Sequence, residues 1–295
     1  MVQAVFIEGL IYSIMVLGVF ITFRILDFPD LTVDGSFPLG AAVMAVCLIN
    51  EINPIIGLSL AIFSGAIAGV ITALLHTIVK IPNLLAGILT MTMLYSINLR
   101  IMGNKANISL LRSENIIKDA GNIFTFLPEE ISTLIVILII VLIIKLLLDL
   151  FFSTDMGLSL GALGTNPQMI ISQGMNPDYL KIIGVSLSNA LVALSGAFAA
   201  QYLGYADVNL GQGIVVAGLA SVMIGEFIIK SNKLIAVTVR VIIGAIIYKA
   251  VMYIGRKYGY TIGLTPNDLK LITGVLIVAL IAVSSFKKKK GVKNA

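Results

Sequence analysis

The sequence predicts an all-α, polytopic membrane protein of about eight or nine spans, folded as one transmembrane domain. Three observations predict it. Of 295 residues, 58% are hydrophobic. Only 12% are charged, against roughly 25% in an ordinary soluble domain. The apolar residues come in runs of roughly twenty, the length that crosses about 30 Å of hydrocarbon. Mean hydropathy is +1.04, and a water-soluble fold cannot bury that much apolar side chain.

Apolar runs bounded by charge or by Pro and Gly give nine candidate spans. These are Ala4–Phe23, Phe37–Ile49 (a short one), Pro54–His76, Asn83–Met102, Ile131–Phe152, Lys181–Leu203, Gln212–Ile229, Leu234–Ile254 and Leu269–Phe286. The start, Met1 to Glu8, lacks the basic region of a cleavable signal and is expected to be retained within the first span.

The net charge of +5 is local, because Lys287, Lys288, Lys289, Lys290 and Lys293 fall in the last nine residues. A basic tail after an apolar run places the C-terminus in the cytoplasm. Counting back sets Ser153–Tyr179 inside and Gly103–Glu130 outside. Arg100, Lys105, Arg112 and Lys118 run against the positive-inside rule there. Cys47 is the single cysteine, which excludes an internal disulfide and a thiol metal cluster.

Two pairs of segments look alike at an offset near 180 residues. Ile81-Pro82-Asn83-Leu84 resembles Thr265-Pro266-Asn267-Asp268-Leu269, and Gly35–Ala42 shares Gly-x-x-x-x-Gly with Gly213–Ala220. The expected organisation is a first repeat over about 1–102, a lone fifth span and loop over 103–178, a second repeat over about 179–286, and the tail 287–295. An odd number of intervening spans inverts the second copy, an arrangement common in transporters.

The segment Arg24–Gly40 carries Asp27, Asp30 and Asp34 among Pro29, Pro38, Gly35 and Gly40. Lost backbone donors and side-chain caps make this a broken helix. Such backbone survives near membrane depth only inside protein or along a watery cavity, so it is expected to face a transport path. Its counterpart in the second half is Tyr205–Gly213. Catalysis is a poorer reading, since no histidine or nucleophile accompanies the three acids; no catalytic or metal residue is assigned. Further along, Lys145 and Asp149 are spaced for an i,i+4 pair, as are Glu226 and Lys230. Arg240 and Lys249 lie inside the eighth span, where ionisable groups face a bundle interior or a path. His76, the one histidine, reads as an interfacial residue.

The run Ile11–Gly18, then Arg24-Ile25-Leu26-Asp27-Phe28 and Leu39-Gly40-Ala41, resembles the opening of the branched-chain amino acid permeases of bacterial ABC importers. Asp27-Phe28 stands where that family has an Asn-Phe type motif. The loop Gly164-Thr165-Asn166-Pro167 followed by Gly174-Met175-Asn176 is similar to the family's coupling loop, which docks into the ATPase subunit; Gly161 replaces an arginine there.

The resemblance implies a permease subunit in the bacterial cytoplasmic membrane that moves an amino acid or similar small polar solute. The residue reading sets Asp27, Phe28, Asp30, Asp34 and Ser36 of the broken segment, Asp207 and Asn209 of its counterpart, and Asn189 on the sixth span along the solute path. Gly164, Asn166, Pro167, Gly174, Met175 and Asn176 would form the ATPase coupling loop. Implied partners are cytoplasmic ABC ATPases, an extracytoplasmic solute-binding protein and a second permease copy or homologue. The chain has no Walker loop, so no cofactor and no enzymatic activity are expected of it; ATP and Mg belong on the ATPase partner. The alternatives are a sugar or nucleoside ABC permease and an ion-coupled secondary transporter.

Overall fold

The computed structural model describes residues 2–111, 116–117, 128–230, 234–259 and, singly, 271, 274, 275 and 278. Ten α-helices account for most of them. α1 (Val2–Phe20) runs into a π-helical turn, Ile21–Ile25; α2 (Val33–Ile49), α3 (Pro54–Thr77), α4 (Asn83–Ile101) and α5 (Glu129–Ser153) follow. Next come α6 (Asp155–Thr165), α7 (Pro167–Ser172), α8 (Pro177–Leu203), α9 (Ile214–Ile228) and α10 (Leu234–Gly259).

Among the described residues, six helical segments are long and apolar enough to cross a membrane: Gln3–Ile25, Pro54–Thr77, Asn83–Ile101, Glu129–Ser153, Pro177–Leu203 and Ile235–Tyr258. Val33–Ile49 and Ile214–Ile228 are apolar but shorter. These eight fall on the first eight expected spans. The ninth, Leu269–Phe286, lies outside the described residues, as do the basic tail and the Thr265–Leu269 half of one sequence pair.

The fold is not purely helical. β1 (Asn107–Ser109) and β2 (Tyr205–Asp207) pair antiparallel, with Ile108 opposite Ala206. Each strand is three residues long, too short to leave a periodic signal. The pair ties the segment after α4 to the end of α8.

Asn-Pro starts three of the helices, α3, α7 and α8. The Asn53, Asn166 and Asn176 side chains accept hydrogen bonds from the amides of Ile55 (2.9 Å), Gln168 (3.1 Å) and Asp178 (2.9 Å). Proline follows at the first helical position, where its missing N–H costs nothing. α8 ends on Gly204, whose φ of 74° is the left-handed geometry of a helix C-terminus.

α8 is the central post, buried against α1, α2 and α3. Small residues let the backbones meet. A Cβ on Gly40 would collide with the Ala193 carbonyl, one on Gly65 with Asn189, and one on Gly196 with Phe37. Without a hydrophobic drive between helices in lipid, such close van der Waals packing holds a bundle together. α5 is the opposite case: Leu142, Ile143, Leu146, Leu147 and Leu150 all lie exposed on it, the surface lipid requires.

Contacts sort the helix ends into two faces. Ile25 lies against Gly164, His76 against Phe28 and Lys181, and Arg24 against Glu226 on the face that carries α6 and α7. The opposite face carries β1, β2 and the start of α1. α2 ends there, with Leu48 clustered against Met102 and Leu110. α9 runs the other way, and Glu226 in its last turn lies beside Arg24.

Candidate functional site: two short helices that begin at depth

The chain between the π turn and α2 is non-helical over Leu26–Asp30, as the Pro and Asp pattern predicts. Pro38 behaves differently from expectation. It sits inside α2 and does not end it; in membrane helices, close neighbours re-satisfy the backbone that proline frees.

Asp30 is fully buried. Its carboxylate accepts from the Thr32 amide at 2.8 Å and from Asn189 Nδ2 at 2.7 Å. Asn189 Oδ1 accepts from the Ser36 hydroxyl at 2.7 Å, and Thr32 and Thr72 share a 2.7 Å hydroxyl pair. Three residues named from sequence, Asp30, Ser36 and Asn189, are therefore one network linking the break to α8. Its members satisfy each other, which fixes the break in a single geometry.

Asp34, one turn further on, has another task. Its Oδ2 accepts from the Gly213 amide at 2.9 Å and its Oδ1 from the Val215 amide at 3.0 Å. A residue of α2 thus caps the start of α9, where Gly213 takes the left-handed φ of 78° and supplies no side-chain cap. The two short helices begin side by side at depth and run toward opposite faces.

Asp34 also borders a cavity of about 290 Å³, shared with Pro38, Tyr95, Asn98 and Gln212. Thr92 and Tyr95 are on the exposed side of α4, so the cavity opens sideways from the subunit. Asn98 is fully buried; its Nδ2 donates to the Gly35 carbonyl at 3.2 Å, while its Oδ1 has no hydrogen-bond partner among the described residues. Buried polar atoms are rarely left so. Sequence reasoning did not single out Asn98; the available signal was an amide inside an apolar run.

The remaining named residues lie apart from this cavity. Asp27 is exposed, in a left-handed conformation (φ 51°), and Phe28 is buried edge-on to His76 at 5.3 Å. Asp207 accepts from Asn107 Nδ2 at 3.1 Å and from the Asn209 amide at 2.7 Å, at the β1–β2 face. Lys145 pairs with Asp149, as the spacing predicts. Glu226 takes Arg24 (2.7 Å) and Arg240 (3.2 Å) as ion-pair partners instead of Lys230. α9 ends at Ile228, before Lys230, so the i,i+4 geometry does not form.

The loop after α5 folds as two short helices. Thr154 caps α6 by accepting from the Gly157 amide at 3.3 Å, and the Asn166 side chain caps α7. Leu160, Leu163 and Ile170 are buried beneath it. Leu158, Met169 and Ile171 face outward, and a Cβ on Gly161 or Gly174 would meet nothing within 4 Å.

Comparison with known proteins bears on this arrangement. The family model for the permease component of branched-chain amino acid transport systems matches residues 1–281. The chain belongs to that permease family. A tyrosine transport system permease protein of Clostridioides difficile (strain R20291) is 44% identical over 96% of this chain and 90% of its own length. An uncharacterised protein of Rickettsia prowazekii (strain Madrid E) is 35% identical over 96% of each chain. Among solved structures, PsaBC from Streptococcus pneumoniae in complex with Fab is similar with a TM-score of 0.55 at 16% identity, over 94% of this chain and 90% of that one. That likeness concerns the fold. The chain is an amino-acid-type ABC permease, a multi-pass transmembrane protein.

Proposed function

We propose that this permease forms half of the path by which tyrosine or a closely similar amino acid is imported, driven by cytoplasmic ABC ATPases. The observation that carries the reading is the 290 Å³ cavity at the paired starts of α2 and α9. Solute sites of transporters form where discontinuous helices begin near the midplane. The cavity opens on the exposed side of α4, so a second permease copy or homologue apposed there closes it into a path. Asn98 Oδ1 and Asp34 offer acceptors to an ammonium group, while Tyr95 and Met91 offer apolar surface. The choice of tyrosine rests on the 44% identical relative.

Coupling follows from the loop. The outward Leu158, Met169 and Ile171 on α6 and α7 supply an apolar patch for an ATPase groove. Closing of the ATPases would then reach Ile25 and the Asp30 break through Gly164, which packs on the Ile25 carbonyl. An extracytoplasmic binding protein would deliver solute at the β1–β2 face, in a topology with the C-terminus inside.

Reconstitution with the ATPases and binding protein in proteoliposomes tests the reading. ATP-dependent uptake of L-tyrosine is expected. Uptake that follows an ion gradient without ATP, or that takes a sugar in preference to any amino acid, would overturn it.

A further inference from the structure

A second cavity, of about 490 Å³, lies among α1, the turn leading into α9, and α10. Its volume falls within the ~300–1,000 Å³ of small-molecule sites. Charge is concentrated there. Lys249, in the interior of α10, stands 3.4 Å from the Glu8 carboxylate and 3.2 Å above the centre of the Tyr12 ring. Arg256 borders the same cavity two turns along α10, about 10 Å at 1.5 Å per residue.

A purely structural ion pair among packed helices would be closed and dry. Burying charge is costly, and protein interiors leave few voids larger than a water molecule. Here the pair is longer than the ~2.7–2.9 Å of a tight charge-assisted bond. The Lys249 and Glu8 side chains keep 17% and 32% of their exposure. Two cations face one carboxylate across the void, while Val216 and Met252 supply an apolar wall.

We propose that this cavity binds the zwitterionic head of an amino acid within a single subunit, with the ligand carboxylate between Lys249 and Arg256 and its ammonium at Glu8. The face of the Tyr12 ring holds the Lys249 ammonium in place, and the wall takes the amino-acid side chain. Gln212 borders both cavities. Occupancy here therefore bears on the α9 lead-in that Asp34 caps. The ligand class rests on the amino-acid reading above.

The test is equilibrium binding to the purified full-length permease in detergent. The probes are L-tyrosine, L-leucine, tyramine (no carboxylate) and 3-(4-hydroxyphenyl)propionate (no ammonium). A zwitterion is expected to bind and the two truncated probes to fail. Lys249→Gln and Glu8→Gln should each weaken binding about tenfold or more. The double variant, a neutral pair that still hydrogen-bonds, should elute as the folded protein and not bind. Binding of L-leucine but not L-tyrosine, with the same dependence on Glu8 and Lys249, supports the site and removes the tyrosine assignment. Zwitterion binding that the folded double variant retains overturns the site. So does absence of binding by both amino acids, or displacement of the bound amino acid by phosphatidylethanolamine micelles alone.

Discussion

Asn189 shows how one side chain decides a local structure. It donates to Asp30, accepts from Ser36 and donates again to the Val185 carbonyl at 3.0 Å. Asn189→Ala leaves a fully buried carboxylate short of a donor, and a loss of about 1–3 kcal/mol is expected, read as a lower unfolding midpoint in detergent. Asn98 predicts a smaller stability change. Its Oδ1 is already unmatched and only the Nδ2 bond to the Gly35 carbonyl is lost, so Asn98→Leu should cost no more than about 1 kcal/mol. Uptake should nonetheless fall about tenfold, because a recognition acceptor is gone. A variant that transports normally would show that Asn98 has no part in the path.

At the scale of elements, the junction of α2 with α9 is the feature most open to test. Asp34 supplies the cap that Gly213 cannot. Asp34→Ala should cost about 1 kcal/mol, the usual loss of an N-cap, and reduce uptake further than the stability loss explains. Asp34→Asn keeps an acceptor oxygen and should retain part of both, a comparison that thermal unfolding and uptake measure together. The break before α2 was legible because Pro29, Gly35 and three aspartates cluster within a few residues. The partner of Asp34 was not, since 179 residues separate it from Gly213 and no local pattern signals such a contact.

For the whole molecule, the exposed apolar residues of α6 and α7 are where the proposed ATPase contact can be tested. Ile171→Asp places a charge on an exposed position, so membrane insertion and the unfolding midpoint should hold, within about 0.5 kcal/mol of stability. Stimulation of ATPase activity by transported solute should be lost. An unchanged stimulation would move the coupling contact elsewhere on that face. The sideways opening of the cavity by α4 carries a companion consequence: with Cys47→Ala in place, Thr92→Cys or Tyr95→Cys should crosslink two permease chains.

The sequence alone determined the class of molecule. Runs of roughly twenty apolar residues have few fates outside a bilayer, and eight of the nine runs coincide with apolar helices. Asn-Pro pairs marked three helix starts, because capping and the fixed φ of proline act within a few residues. The Lys145–Asp149 pair was legible for the same reason of short range. Only tertiary structure decided which of the acids between Asp27 and Asp34 is a buried strut, which is a cap and which is exposed. It also joined Glu226 to Arg24 and Arg240, gathered Glu8 with Lys249, and paired two strands too short to show a period. Each depends on which helix faces come together, and in a bundle of uniformly apolar helices the small residues along α1, α2, α3 and α8 set that through close backbone approach.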